Sequence, residues 1–178
     1  MLIGVLALQG AVSEHCIVLD SLNINNKQIR NREDIREIDG LIMPGGESTT
    51  LRKLLANANL WDLIMKSDIP IMGTCAGAIL LGKSDDETFE KMDYVIDRNY
   101  YGRQIDSFEE NLDIENYPHF RGVFIRAPAI TNPGKCKPIA FRKGEIVGCV
   151  EGKHMALTFH PELTGDSYFH EMWIENLT

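Results

Sequence analysis

The sequence lacks most of what marks a metal, membrane or nucleic-acid protein. Its four cysteines, Cys16, Cys75, Cys136 and Cys149, are scattered, and no C-x-x-C pair is present. No histidines cluster at ligand spacing either. A metal site is therefore not expected, and no disulfide framework is suggested. Lysine and arginine number 18 against 26 aspartates and glutamates, a net charge of −8. That balance gives a nucleic-acid partner no electrostatic support. Every apolar run is far too short to span a bilayer, so no membrane association is expected. The start of the chain, Met1 to Leu8, has no basic region and runs straight into Gln9-Gly10. It reads as a buried first strand and not a signal peptide. A cytoplasmic location is the simplest expectation. No repeat, low-complexity segment or linker divides the chain. With 178 residues, 44% apolar and 25% charged, residues 1–178 suit one domain with a sizeable core.

What is present is an alternation of strand and helix signals. Leu2–Leu8 and Gly40–Met43 are nearly continuously apolar, and Ile69–Gly73 is a third such run. Runs of this kind suit strands covered on both faces. Val12–Leu22 places Val12, Cys16, Leu19 and Leu22 near helical spacing. Lys27–Arg30 reads as a short strand, Arg32–Ile38 as a turn of helix, and Leu60–Lys66 as a short amphipathic stretch. This order predicts an α/β fold with a mainly parallel central sheet and helices on both faces. The acidic stretch Ser84–Met92 reads as a solvated loop or helix face. Beyond it, Tyr94–Ile96, Gln104–Phe108, Gly122–Ile125, Pro138–Phe141, Glu145–Glu151 and His154–Phe159 read as short strands, which adds antiparallel hairpins in the second half. Asp166–Leu177 reads as a closing amphipathic helix.

Three loops follow strand ends and should share one rim, because sites in such sheets lie at the carboxyl ends of the strands. They begin at Gln9, at Pro44-Gly45-Gly46-Glu47-Ser48 and at Gly73-Thr74-Cys75-Ala76-Gly77. The last has the mechanics of a nucleophile elbow with cysteine in place of serine. An inert buried cysteine in a strand-to-helix turn is the competing reading. The Gly45-Gly46 loop matches neither G-x-x-x-x-G-K-[ST] nor G-x-G-x-x-G, so a phosphate cradle is a weak reading. Glycine amides facing a ligand or a developing oxyanion fit better, with an ordinary turn as the alternative. Near the end stands His160-Pro161-Glu162. In an extended backbone, residues two apart project to one side. The carboxylate can then orient the imidazole, and a cysteine nucleophile, histidine base and acidic orienter make a triad. His15, His119, His154 and His170 read as satisfied surface or core residues, although His15 could border the rim.

G-T-C-A-G together with H-P-E resembles the class I, triad-type glutamine amidotransferases. Further segments resemble the glutaminase subunit of pyridoxal phosphate synthase. They are Gly4–Val12, Pro44–Thr50, Arg98–Gln104 running to Ser107–Glu109, Phe124–Pro128 and Phe159–Thr164. The resemblance implies a flavodoxin-like three-layer sandwich. It also implies that Cys75 is the nucleophile, His160 the general base and acid, and Glu162 the orienter. Gly46, Glu47, Ser48, Arg98, Ile125 and Arg126 match the family's glutamine contacts. Backbone amides of Gly46 and Ala76 match its oxyanion hole. It implies L-glutamine as substrate and a separate barrel-type synthase subunit as partner in a hetero-oligomer. Ammonia passes to that partner, and pyridoxal phosphate is the pathway's product, so no cofactor is expected on this chain. Between Leu81 and Arg98 the chain is shorter than the family pattern. Two other functions stay open: a glutaminase serving another synthase, such as that of imidazole glycerol phosphate, and a flavodoxin-like binding module without activity.

Overall fold

The computed structural model describes residues 1–101, 107–117 and 119–178. The uncharged apolar runs form the middle of the main sheet. β1 (Leu2–Leu6) lies between β2 (Asn25–Ile29) and β3 (Gly40–Met43), and β4 (Ile71–Thr74) follows β3. The helices that connect or cover them are α1 (Val12–Ser21), α2 (Ser48–Asn57), α3 (Trp61–Lys66), α4 (Ala76–Leu81) and α5 (Tyr168–Glu175). The second half supplies β5 (Val95–Asp97), β6 (Ser107–Asn111), β7 (Arg121–Ile125), β8 (Ala129–Asn132), β9 (Lys137–Arg142), β10 (Glu145–Glu151) and β11 (His154–Leu157). The main sheet has seven strands in the order β2-β1-β3-β4-β11-β10-β9. The strands from β2 to β11 are parallel, and β10 and β9 add on antiparallel.

Strand alternation sorts the core into two layers. Leu41, Met43, Ile71 and Ala156 pack towards Leu51 and Leu55 of α2, Ile64 of α3 and Ile79 to Leu81 of α4. Ile42, Met72, Met155 and Leu157 pack the other way, towards Leu19 of α1 and Phe169 and Trp173 of α5. Each fully buried aliphatic side chain contributes roughly 2 kcal/mol, which is why strands buried on both faces carry no charge. Two antiparallel ribbons, β5 with β8 and β6 with β7, stand apart from the main sheet.

Four local expectations change. Residues 31–37 form turns and no helix, because the side chains of Asn31 and Asp34 bond nearby backbone amides instead. Ser84–Met92 is irregular, but it is more than a solvated face. Phe89 and Met92 are buried in the core, the Phe89 amide donates to Leu80 O, and the Phe89 ring stacks on Trp61. β8 was not anticipated. Of the expected strand Gln104–Phe108, residues 104–106 lie outside the described residues, while Ser107 and Phe108 open β6. Finally, β11 ends at Leu157, and Pro161–Leu163 is a single 3-10 turn. His160 and Glu162 are therefore not brought together by strand alternation.

Candidate active site

The carboxyl ends of β3, β4 and β11 meet on one rim, and each carries one part of the site. β4 leads into Cys75, whose backbone sits at φ 49° and ψ −105°. This is a left-handed region that a non-glycine residue occupies at a cost of about 1–3 kcal/mol. Its amide donates to Leu157 O at 2.8 Å, which ties the turn to β11. Glycine is required just beyond: a Cβ on Gly77 would stand 2.0 Å from the backbone oxygen of Met43. Side-chain-free approach of α4 to the end of β3 is what makes the turn this sharp. The Cys75 thiol is buried and points its Sγ at Ile125 O, 3.7 Å away.

His160 follows β11. Its amide donates to Val123 O of β7 at 2.8 Å, so the ribbon outside the main sheet holds the histidine's backbone. The turn opened by Pro161 folds Glu162 back, and Glu162 Oε1 lies 2.7 Å from His160 Nδ1. Both side chains are buried. Gly45, after β3, closes the group from above. A Cβ there would be 2.4 Å from His160 Cε1 and 3.1 Å from Cys75 Cβ. The loop backbone thus presses on thiol and imidazole together. Burial alone would lower the pKa of His160. Its contacts with the Cys75 sulfur and the Glu162 carboxylate outweigh that and push it up to about 10. The imidazole is therefore poised to carry a proton at neutral pH, beside the Cys75 sulfur.

The pair faces a cavity of about 490 Å³ lined by Gly46, Glu47, Ser48, Arg98, Arg126 and their neighbours. Glu47 caps α2, accepting from the amides of Thr49 and Thr50 at 3.0 and 2.7 Å. Burial raises its pKa, but hydrogen bonds from Thr50 and Thr49 prevail and hold it down at about 2. Arg98 is fixed by bonds to Thr49 Oγ1 at 2.9 Å, Asp86 Oδ2 at 2.7 Å and Glu47 Oε1 at 3.1 Å. Gln9 lies beneath Gly46 and donates to Glu47 O at 2.9 Å, which joins the first rim loop to the second.

The model of the SNO glutamine amidotransferase family matches residues 5–178. The chain belongs to this family. A Methanocaldococcus jannaschii protein named "Pyridoxal 5'-phosphate synthase subunit PdxT" is 43% identical, over 99% of this chain and 98% of its own. A Staphylococcus haemolyticus protein of the same name is 44% identical over 99% of both chains. A crystal structure described as a glutamine amidotransferase superposes with a TM-score of 0.91 at 38% identity, covering 98% of each chain. The fold is accordingly the flavodoxin-like α/β fold of the class I amidotransferases.

Against the amidotransferase pattern, the structure brings Cys75, His160 and Glu162 to one point and puts Gly46, Glu47, Ser48, Arg98 and Arg126 around the adjoining cavity. Ala76 is the first residue of α4, where a helix amide has no partner within its own helix. Ile125 offers its carbonyl oxygen to the thiol. Ile79, Asn99, Tyr101 and Ala127 also line the cavity and were not singled out. Asn99 and Tyr101 lie in the Arg98–Gln104 segment and Ala127 in the Phe124–Pro128 segment, both of which carried a signal; Ile79 carried none. His119 is exposed and His154 Nδ1 accepts the Ile71 amide at 3.1 Å, as ordinary histidines would. His15 and His170 are different: both are fully buried below the triad.

Proposed function

We propose that this chain is the glutaminase subunit of a pyridoxal phosphate synthase. Residues 1–178 act as one amidotransferase domain that releases ammonia for a separate synthase subunit. The observation that carries the reading is the close grouping of Cys75, His160 and Glu162 under Gly45 at the mouth of a cavity holding two arginines and one anionic glutamate. Such a cavity suits a zwitterionic amino acid. Arg98 and Arg126 attract its carboxylate, and Glu47 attracts its ammonium group. The names of the relatives at 43% and 44% identity support this synthase over that of another pathway.

The chemistry follows from the geometry. The Cys75 sulfur, its proton on His160, attacks the side-chain carboxamide carbon of glutamine. A carbon–sulfur bond forms, and the carbonyl electron pair moves onto oxygen. Amides of Gly46 and Ala76 hold that oxyanion. His160 gives its proton to the amide nitrogen, the carbon–nitrogen bond breaks, and ammonia leaves a thioester on Cys75. Water then loses a proton to His160 and attacks the thioester. The carbon–sulfur bond breaks, releasing glutamate and restoring the starting pair. Glu162 holds the imidazole in the orientation both steps need.

The test is glutamate release from glutamine with and without the cognate synthase subunit. Cys75→Ala is expected to abolish release in both settings. Partner-stimulated release that survives this substitution would overturn the mechanism. Release by the wild type that does not change with the partner would overturn the assigned role in the synthase.

A further inference from the structure

Below the triad, two histidines from distant parts of the chain meet in a fully buried site. His15 of α1 places Nδ1 2.9 Å from Nε2 of His170 on α5. His15 Nε2 lies 3.4 Å from Glu162 Oε2 and 3.4 Å from Thr74 Oγ1. Glu162 Oε1 is taken by His160, whereas Oε2 is buried with no hydrogen-bond partner among the described residues. At 3.4 Å the His15 contact is about 0.5 Å longer than a full charge-assisted hydrogen bond.

Counting protons decides the direction of this chain. Burial, then the neighbouring His170 and His160, keeps His15 well below the usual histidine range, and burial lowers His170 to about 4. Both rings are neutral, so each has one N–H. If His15 carries it on Nε2, Glu162 Oε2 gains a donor. His15 Nδ1 then accepts from His170 Nε2–H. His170 Nδ1 then remains an unpartnered acceptor, and the Thr74 hydroxyl, 3.4 Å from His15 Nε2, no longer has that nitrogen as an acceptor. The opposite direction would leave a buried N–H unpaired on His170 and Oε2 without its donor, and an unpaired buried group costs about 1–3 kcal/mol.

We propose that His15 is a positioning residue of the triad: its Nε2–H holds the second oxygen of Glu162, and His170 fixes the tautomer that permits it. This rests on the glutaminase reading above. A carboxylate held at one oxygen turns easily about its terminal torsion. Held at both, it fixes the His160 ring against the sulfur.

The experiment compares His15→Leu, His15→Gln and His15→Asn, each in complex with the cognate synthase subunit. A glutamine amide at position 15 reaches the place of Nε2 and donates to Glu162; an asparagine amide falls short of it. His15→Leu and His15→Asn are expected to lower kcat on the order of tenfold with KM little changed, while His15→Gln keeps most of kcat. Thermal melting reports folding, and the two polar variants keep the comparison open if His15→Leu fails to fold. The inference is overturned if His15→Asn stays within about twofold of wild type, if Gln and Asn lose kcat equally, or if the loss falls in KM. The rate of Cys75 alkylation by iodoacetamide, followed by peptide mass spectrometry, is a readout that needs no glutaminase turnover. It should fall with Leu and Asn and recover with Gln; equal rates in all variants overturn the inference. Wild type that releases no glutamate would count against the glutaminase reading alone, and alkylation would still decide the role of His15.

Discussion

Gly45→Ala puts one methyl group into the narrowest space of the site. The new Cβ would lie 2.4 Å from His160 Cε1, 3.2 Å from His160 Nδ1 and 3.1 Å from Cys75 Cβ. Carbon atoms pack best at about 3.5–4.0 Å, so the imidazole or the loop must give way by about 1 Å. The imidazole is held by Glu162 at 2.7 Å, and Cys75 blocks the loop from sliding sideways. Gly45 is not at positive φ, so alanine meets no backbone penalty there and the effect is steric. A misplacement of about 1 Å between reacting groups costs roughly a hundredfold, or about 2.7 kcal/mol in the barrier. The expected result is a kcat for glutamate release about a hundredfold down, measured with the synthase subunit bound, at near-wild-type melting temperature. A kcat within about threefold of wild type would refute the argument that Gly45 lies against a working Cys75–His160 pair.

Three further outcomes follow from the charges. The pKa of His160 is raised from 6.5 to about 10, so its contribution to stability is complete below about 6.5 and lost as pH rises towards 10. Activity should show no acid limb at an ordinary histidine pKa and should fall as the pH approaches 10; Glu162→Gln should move that alkaline fall to lower pH, and an unmoved limb would contradict the coupling. His15 and His170 have the opposite sign. Their lowered pKa values mean that the unfolded chain takes up protons first, so melting temperature should drop as pH falls from about 6.5 through about 4, and His170→Gln should flatten that slope. Arg98→Ala should raise both KM and the dissociation constant for glutamine in a titration; if neither rises, its assignment to the substrate fails.

The sequence was most readable where local pattern and tertiary demand agree. β1, β3 and β4 are apolar throughout because both faces of each are covered, so their positions could be read without partners. The Cys75 turn was legible for a similar reason, since Gly73 and Gly77 are there to relieve backbone contacts that any side chain would block. The pairing of His160 with Glu162 was also expected, but by the wrong geometry: a 3-10 turn performs what strand alternation was expected to do. β8 escaped notice because its four residues owe their extended form to β5 and not to any pattern of their own. In Ser84–Met92 the acidic residues dominated the composition, while Phe89 and Met92 set the structure. His15 read as a surface or core histidine that could border the rim, but its contacts could not be read. Its partner His170 is 155 positions away, and only the packing of α1 and α5 on one face of the sheet joins them.

The place of β11 has a consequence for how the protein is made. It is the last strand among the described residues, yet it lies inside the sheet between β4 and β10. It also carries the chain into His160, while Cys75 is fastened to its final residue, Leu157. On the ribosome, β1 to β4 can assemble early, but β4 has an open edge until β11 emerges. Long-range parallel pairing of this kind is slow, and unfinished edges invite wrong partners. A nascent chain halted before β11 therefore contains Cys75 without His160 or Glu162.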